Sequence, residues 1–279
     1  MTATLATFPK SGASQFPNRL MTDEPRFTLL AVVLAFALIP VFAAMAVETR
    51  LYQDVNVWVK PAKFMISLSI YLLNLALFAR FLPTGMMARR SYRAYSTFIV
   101  LCILIEMIWI GGAAAMGVGS HFNRSTPELA LIYTLMGVVA ISLTSVSLVY
   151  GIAILRNRAS TLAAGLRLSI GLGLVLTFVL TVPVAMTMAM GTGHLVGTAQ
   201  TGAMLPVMGW SREVGDLRIP HFFATHAMQA MPVFGLLTLA LPRQFAVTSV
   251  WVAAAGYVAL VIATFLQALA GQPFLPRIG

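Results

Sequence analysis

The sequence predicts an all-α fold, a polytopic membrane helix bundle with seven transmembrane helices, N-terminus inside and C-terminus outside. Three observations carry this. Of 279 residues, 59% are hydrophobic and only 9% are charged, whereas soluble domains carry about a quarter charged residues. Seven apolar runs are each long enough to cross roughly 30 Å of hydrocarbon at about 1.5 Å per residue. The basic residues gather on one side of those runs.

Residues 1–25 are rich in Ser, Thr, Ala and Pro. They read as a flexible cytoplasmic tail, with no signal-peptide pattern. The spans fall near 27–48, 62–82, 95–119, 128–155, 161–191, 219–241 and 245–270, inside a transmembrane domain of residues 26–271. Residues 272–279 form a short extracytoplasmic tail. The fourth and fifth runs exceed the minimum and are expected to tilt or to extend into the interface. Pro183 and Pro232 stand inside the fifth and sixth runs, where a proline kinks a helix.

Orientation follows from charge. One side holds Lys10, Arg19, Arg26, Arg80, Arg89, Arg90, Arg93, Arg156, Arg158, Arg167 and Arg243, eleven basic residues against Asp23 and Glu24. The other holds seven basic residues against five acids, Glu48, Asp54, Glu128, Glu213 and Asp216. The positive-inside rule makes the first side cytoplasmic. The net charge of +10 therefore reads as topology. The basic residues are spread over loops and form no nucleic-acid groove. The single cysteine, Cys102, excludes a disulfide framework and a thiolate metal cluster. Lysines occur only at 10, 60 and 63, so no late span offers a Schiff-base lysine.

All four histidines then lie at or near the extracytoplasmic face. His121 ends the third span, His194 follows the fifth, and His221 and His226 open the sixth. In a regular helix, residues five apart differ by roughly 140°, so His221 and His226 do not chelate one ion together, whereas His226 and Gln229 share a face. Asp216 suits a cap or a partner of the helix dipole. Glu106 stands near the middle of the third span, where a carboxylate is costly unless protonated or paired. Asn74, in the second span, is a weaker polar candidate. Lys60 and Lys63 suit snorkelling beside Trp58, or an anion-facing pair with Arg124 and Arg218. Met186, Met188 and Met190 before His194 offer thioethers for Cu(I), but alternate residues do not share a helix face. The 191–217 connection is long and apolar, as expected of a lid.

The stretches Asn56–Phe64, Ser120–Asn123 and Gly215–Gln229 together resemble a group of uncharacterised bacterial multipass membrane proteins. The resemblance implies a bacterial inner membrane and no particular activity. The histidine inventory is also similar to that of membrane hydrolases that bind zinc through Ser, Asp and three His, although here the sixth-span pair stands five residues apart.

Three functions fit these residues. The first is an extracytoplasmic-facing metal or haem site, with His121, His194, His221 and His226 as ligands. Haem would take two axial histidines, with Arg218, Arg124 or Lys60 meeting its propionates. Zinc or iron would take three, with Asp216 or Glu106 completing or orienting the site and Gln229 alongside. Such a site would serve redox or zinc-hydrolase chemistry. The second is a small-molecule or ion transporter with Glu106, Asn74, His226 and Gln229 lining its path. The third is a non-catalytic sensor or assembly factor.

Overall fold

A computed structural model describes residues 19–275, so most of the expected N-terminal tail and the last four residues lie outside the described residues. After the helical residues 19–23, the described chain continues through α1 (Pro25–Val47), α2 (Val59–Ala79), α3 (Arg90–Met116), α4 (Pro127–Arg156), α5 (Ala164–Met190), α6 (Arg218–Thr225), α7 (Ala227–Leu237) and α8 (Arg243–Leu269). Six are long and apolar enough to cross a membrane, and α6 with α7 and the 3₁₀ turn Thr238–Ala240 makes a seventh if that bent pair is one span. The molecule is therefore a bundle of long apolar helices.

Two small hairpins complete the described fold. β1 (Leu51–Tyr52) pairs with β2 (Val55–Asn56), and β3 (Leu195–Val196) with β4 (Gly215–Asp216), both antiparallel. Gln53 and Asp54 both take positive φ, the tight-turn geometry that joins two strands through a two-residue loop.

Small residues set the helix approaches. On α5, a Cβ at Gly173 would stand 2.8 Å from the Ala227 carbonyl oxygen, and one at Gly235 of α7 would stand 1.8 Å from the Ser169 hydroxyl. Spaced four apart, Gly165, Ser169 and Gly173 make a small-residue stripe: α7 lies on Ser169 and Gly173, and Gly165 faces Thr238 and Ala246. Gly151 and Gly171 do the same where α4 crosses α5. A core of Phe27, Leu72, Leu75, Ile99, Ile103, Val146, Tyr150, Ile154 and Leu174 joins α1 to α5.

Two expectations need correction. The sixth run is not one helix kinked at Pro232: it bends by 47° at His226, whose φ of −88° and ψ of 4° leave the α region. Residues 19–23 are helical and Glu24 is 1% exposed, so the end of the expected tail belongs to the bundle. The 191–217 segment is tied down by its hairpin. A Cβ at Gly215 would meet the Ala268 carbonyl at 1.9 Å, so β4 lies directly on the end of α8.

Candidate functional site

Glu106 sits on the buried face of α3 and is 2% exposed. Ten residues beyond it the helix ends at Met116, capped by Gly117 in the left-handed conformation. The chain then folds back, and the Trp109 indole donates to the Ser120 carbonyl at 2.8 Å. This return places His121 against Glu106, with Nε2 3.5 Å from Oε1. That distance is electrostatic contact rather than a tight hydrogen bond. Nδ1 of the same ring lies 3.2 Å from the Ser120 hydroxyl, so both ring nitrogens face polar partners. The second carboxylate oxygen, Oε2, is buried with no hydrogen-bond partner.

Aromatic rings wall this pair. Phe64 of α2 and Tyr133 of α4 lie 5.7 Å and 6.1 Å from the His121 ring. Lys60, one turn before Phe64, places its ammonium 6.0 Å from that ring and within electrostatic range of Glu106. The β1–β2 hairpin closes over the return: a Cβ at Gly119 would stand 2.3 Å from the Tyr52 hydroxyl. Arg50 donates to the Ala115 carbonyl at 3.0 Å. It also grips Glu48 at 2.6 Å, which pushes the Glu48 carboxyl down to about 2.

Asp216 is also buried, 1% exposed, but its oxygens are fully engaged. They accept from the Ser211 and Arg218 backbone amides, both at 3.0 Å, and from the Arg218 guanidinium at 2.6 to 3.2 Å. The same guanidinium donates to the Gly209 carbonyl. Asp216 and Arg218 are thus spent on closing the 205–218 loop. Asp216 does bond the first amide of α6, as a cap should. Glu213 clamps the neighbouring turn through the Thr201 hydroxyl and the Gln200 and Thr201 amides, and these bonds push its carboxyl down to about 2.

The four histidines have different partners. His121 faces Glu106. His194 precedes β3, accepts the Leu217 amide through its carbonyl at 2.9 Å, and feels Arg218, Asp216 and Lys60. Its burial, and next the Arg218 charge, hold its pKa below the usual imidazole value. His226, at the helix break, lies 4.2 Å from the Phe222 ring at a tilt of 50° and within range of the Gln229 side chain. His221 lies within electrostatic range of His226. His221 Nδ1 and Gln229 Oε1 are buried without partners. Among the described residues, no group of three or more His, Cys, Asp or Glu is placed to hold a metal ion.

Of the other expected contributors, Arg124 donates to the Ala189 carbonyl at 2.6 Å and lies over Tyr133 at 5.3 Å, tying the return loop to the end of α5. Asn74 bonds its own helix at the Ile70 carbonyl. The residues sequence reasoning missed are Phe64, Tyr133 and the β1–β2 roof. Only the Gln53-Asp54 turn could have signalled the last. No protein-family model matches the chain, and no curated protein or solved structure matches it significantly.

Proposed function

We propose that this chain is a seven-span protein of the bacterial cytoplasmic membrane, N-terminus inside, that transports a small molecule or ion with Glu106 as its proton-binding group. One observation carries the reading. Glu106 is buried in a long apolar helix, has His121 as a loose partner, and keeps one oxygen free of any hydrogen bond. An ionisable group held inside a membrane is expensive and functional by default. A half-satisfied carboxyl can take up and release a proton or cation without dismantling a network. The broken helix supports the same reading. Interrupted spans are tolerated where they are buried in protein or line a cavity, and the bend at His226 carries two further unpartnered polar atoms, His221 Nδ1 and Gln229 Oε1. The positive-inside count supports this orientation, in which Glu106 and His121 belong to the outer half.

The test needs no knowledge of the solute. Vesicles containing the purified protein are adsorbed on a solid-supported membrane and given a pH jump. The wild type is expected to give a transient charge displacement. Glu106→Gln should reduce it at least tenfold, and His121→Asn should shift its pH midpoint. A wild type with no transient above empty vesicles, or a Glu106→Gln variant with an unchanged one, would overturn the assignment.

A further inference from the structure

The buried face of α3 that ends in Glu106 begins in a second polar group, at the opposite end of the bundle. Tyr92 lies 14 residues earlier, roughly 21 Å along the helix and within about 40° of the same face. Tyr92 donates to Glu24 Oε2, and its oxygen also meets the Tyr150 hydroxyl from α4. Glu24, Tyr92 and Tyr150 are nearly inaccessible, at 1%, 5% and 0% exposure. Glu24 Oε1 is buried with no partner. The groups that face this carboxyl are Arg26 on its own segment, Tyr92 from α3 and Tyr150 from α4. Behind Tyr150 stands Tyr71 of α2, within electrostatic range of it and of Tyr95. Tyr71 bonds the Leu143 carbonyl at 3.1 Å and Tyr95 the Ser145 hydroxyl at 2.6 Å.

Phenols thus line the lower part of the bundle axis. Beyond them, on the way to Glu106, come Leu72, Ile99 and Ile103, each 0% exposed. A transport protein needs polar stations reachable from each side and a dry layer between them. This bundle has that order along one helix face: Glu24 and Tyr92, then Ile99 and Ile103, then Glu106 and His121.

We propose that Glu24, held by Tyr92 and Tyr150, is a second proton-binding site, serving the end of the bundle opposite Glu106. A proton from water at that end adds to the free Oε1, and Tyr92 keeps its bond to Oε2, so the only change is one proton gained by the carboxylate. Structural burial alone does not require an acid here. A glutamine of the same shape would fill the space and could still accept from the Arg26 and Phe27 amides that approach the Glu24 side chain at the start of α1. Coupling of this site to Glu106 rests on the transporter reading, but proton binding at Glu24 does not.

The experiment is infrared titration of the carboxyl region in the full-length protein in lipid. Glu24→Gln should remove one pH-dependent carboxyl band, and Glu106→Gln should leave that band in place. Tyr92→Phe should keep the band and move its midpoint upward, because the lost phenol donor stabilised the charged form. Helical circular dichroism confirms that each variant is folded, and Tyr150→Phe serves in place of Tyr92→Phe should the latter fail to fold. A spectrum in which Glu24→Gln removes nothing, or a Glu24 midpoint indifferent to both phenol substitutions, overturns the proposal. Loss of the Glu24 band together with an unchanged Glu106→Gln spectrum would refute the Glu106 reading and leave this site standing.

Discussion

Asp216 and Glu106 share depth of burial and little else. Asp216 is 1% exposed and its two oxygens receive backbone amides and a guanidinium. Glu106 is 2% exposed, with one imidazole at 3.5 Å and one oxygen left bare. A charge that is buried and fully hydrogen-bonded holds structure, because removing its partner strands the other half. A charge that is buried and half satisfied is a cost that folding alone does not explain. Satisfaction, more than burial, separates the loop clasp from the candidate site.

The largest expected effect breaks the clasp. Asp216→Ala leaves the Arg218 guanidinium and the Ser211 amide without their acceptor. We expect a loss of about 3 kcal/mol, the low end for a broken buried pair because Arg218 keeps some solvent exposure. Arg218→Met in the Asp216→Ala background should recover part of it, with a coupling of about 1 kcal/mol or more. Unfolding in mixed micelles measures both. A cost below about 0.5 kcal/mol would mean that the clasp is ornamental and the comparison with Glu106 is empty.

Glu106→Gln should behave in the opposite way. It keeps shape and removes the ionisable group from a site that leaves one of its oxygens without a partner, so stability is expected to hold or to rise by up to about 1 kcal/mol. The pH-jump transient should nevertheless fall at least tenfold. If this variant loses as much stability as Asp216→Ala, Glu106 is a structural acid and the contrast fails. A companion test lies at the other end of the bundle. Burial raises the Glu24 pKa above the usual carboxylate value, more than Tyr92 and Arg26 lower it. Its contribution is therefore present at low pH and lost as pH rises through the folded value. The stability of Glu24→Gln relative to wild type should accordingly increase with pH, a trend that unfolding midpoints across a pH series would show or deny.

The sequence made the long helices legible because a membrane-spanning run must be continuous and apolar, and nothing else in the chain is. Their ends shift by a few residues: the run read as 62–82 is helical from Val59 to Ala79, since Lys60 and Pro61 suit a first turn as well as a loop. Glu106 was legible as a costly acid. Its partner was not, because His121 meets it only after the chain reverses past Gly117. The sequence suggests Asp216 as a cap or a site acid and Arg218 as a propionate partner, but not their mutual pairing, since a separation of two residues brings side chains together only in the non-helical turn that β4 creates. Glu24 was hidden for the reverse reason. An acid before an apolar run looks like a tail until three helices close around it. The sequence predicts a kink at Pro232, but that ring packs close to Gly173 and the bend falls at His226.

The smallest expected effect lies where the two regions approach, at His194. Its folded pKa is held below the usual imidazole value, first by burial and then by Arg218, with Lys60 adding and Asp216 opposing. The folded chain thus binds fewer protons than the unfolded chain as pH falls through the imidazole range, so this residue makes stability decrease with acidity. His194→Gln should flatten that part of the profile between about pH 8 and about pH 5 and leave the neutral-pH value nearly unchanged. In Asp216→Ala the opposing negative charge is gone while Arg218 remains. The folded pKa then drops further, and the acid loss should extend to lower pH. The double variant should lack that extension. If His194→Gln leaves the acid limb as steep as in the wild type, His194 does not feel the clasp, and the two regions are neighbours without electrostatic communication.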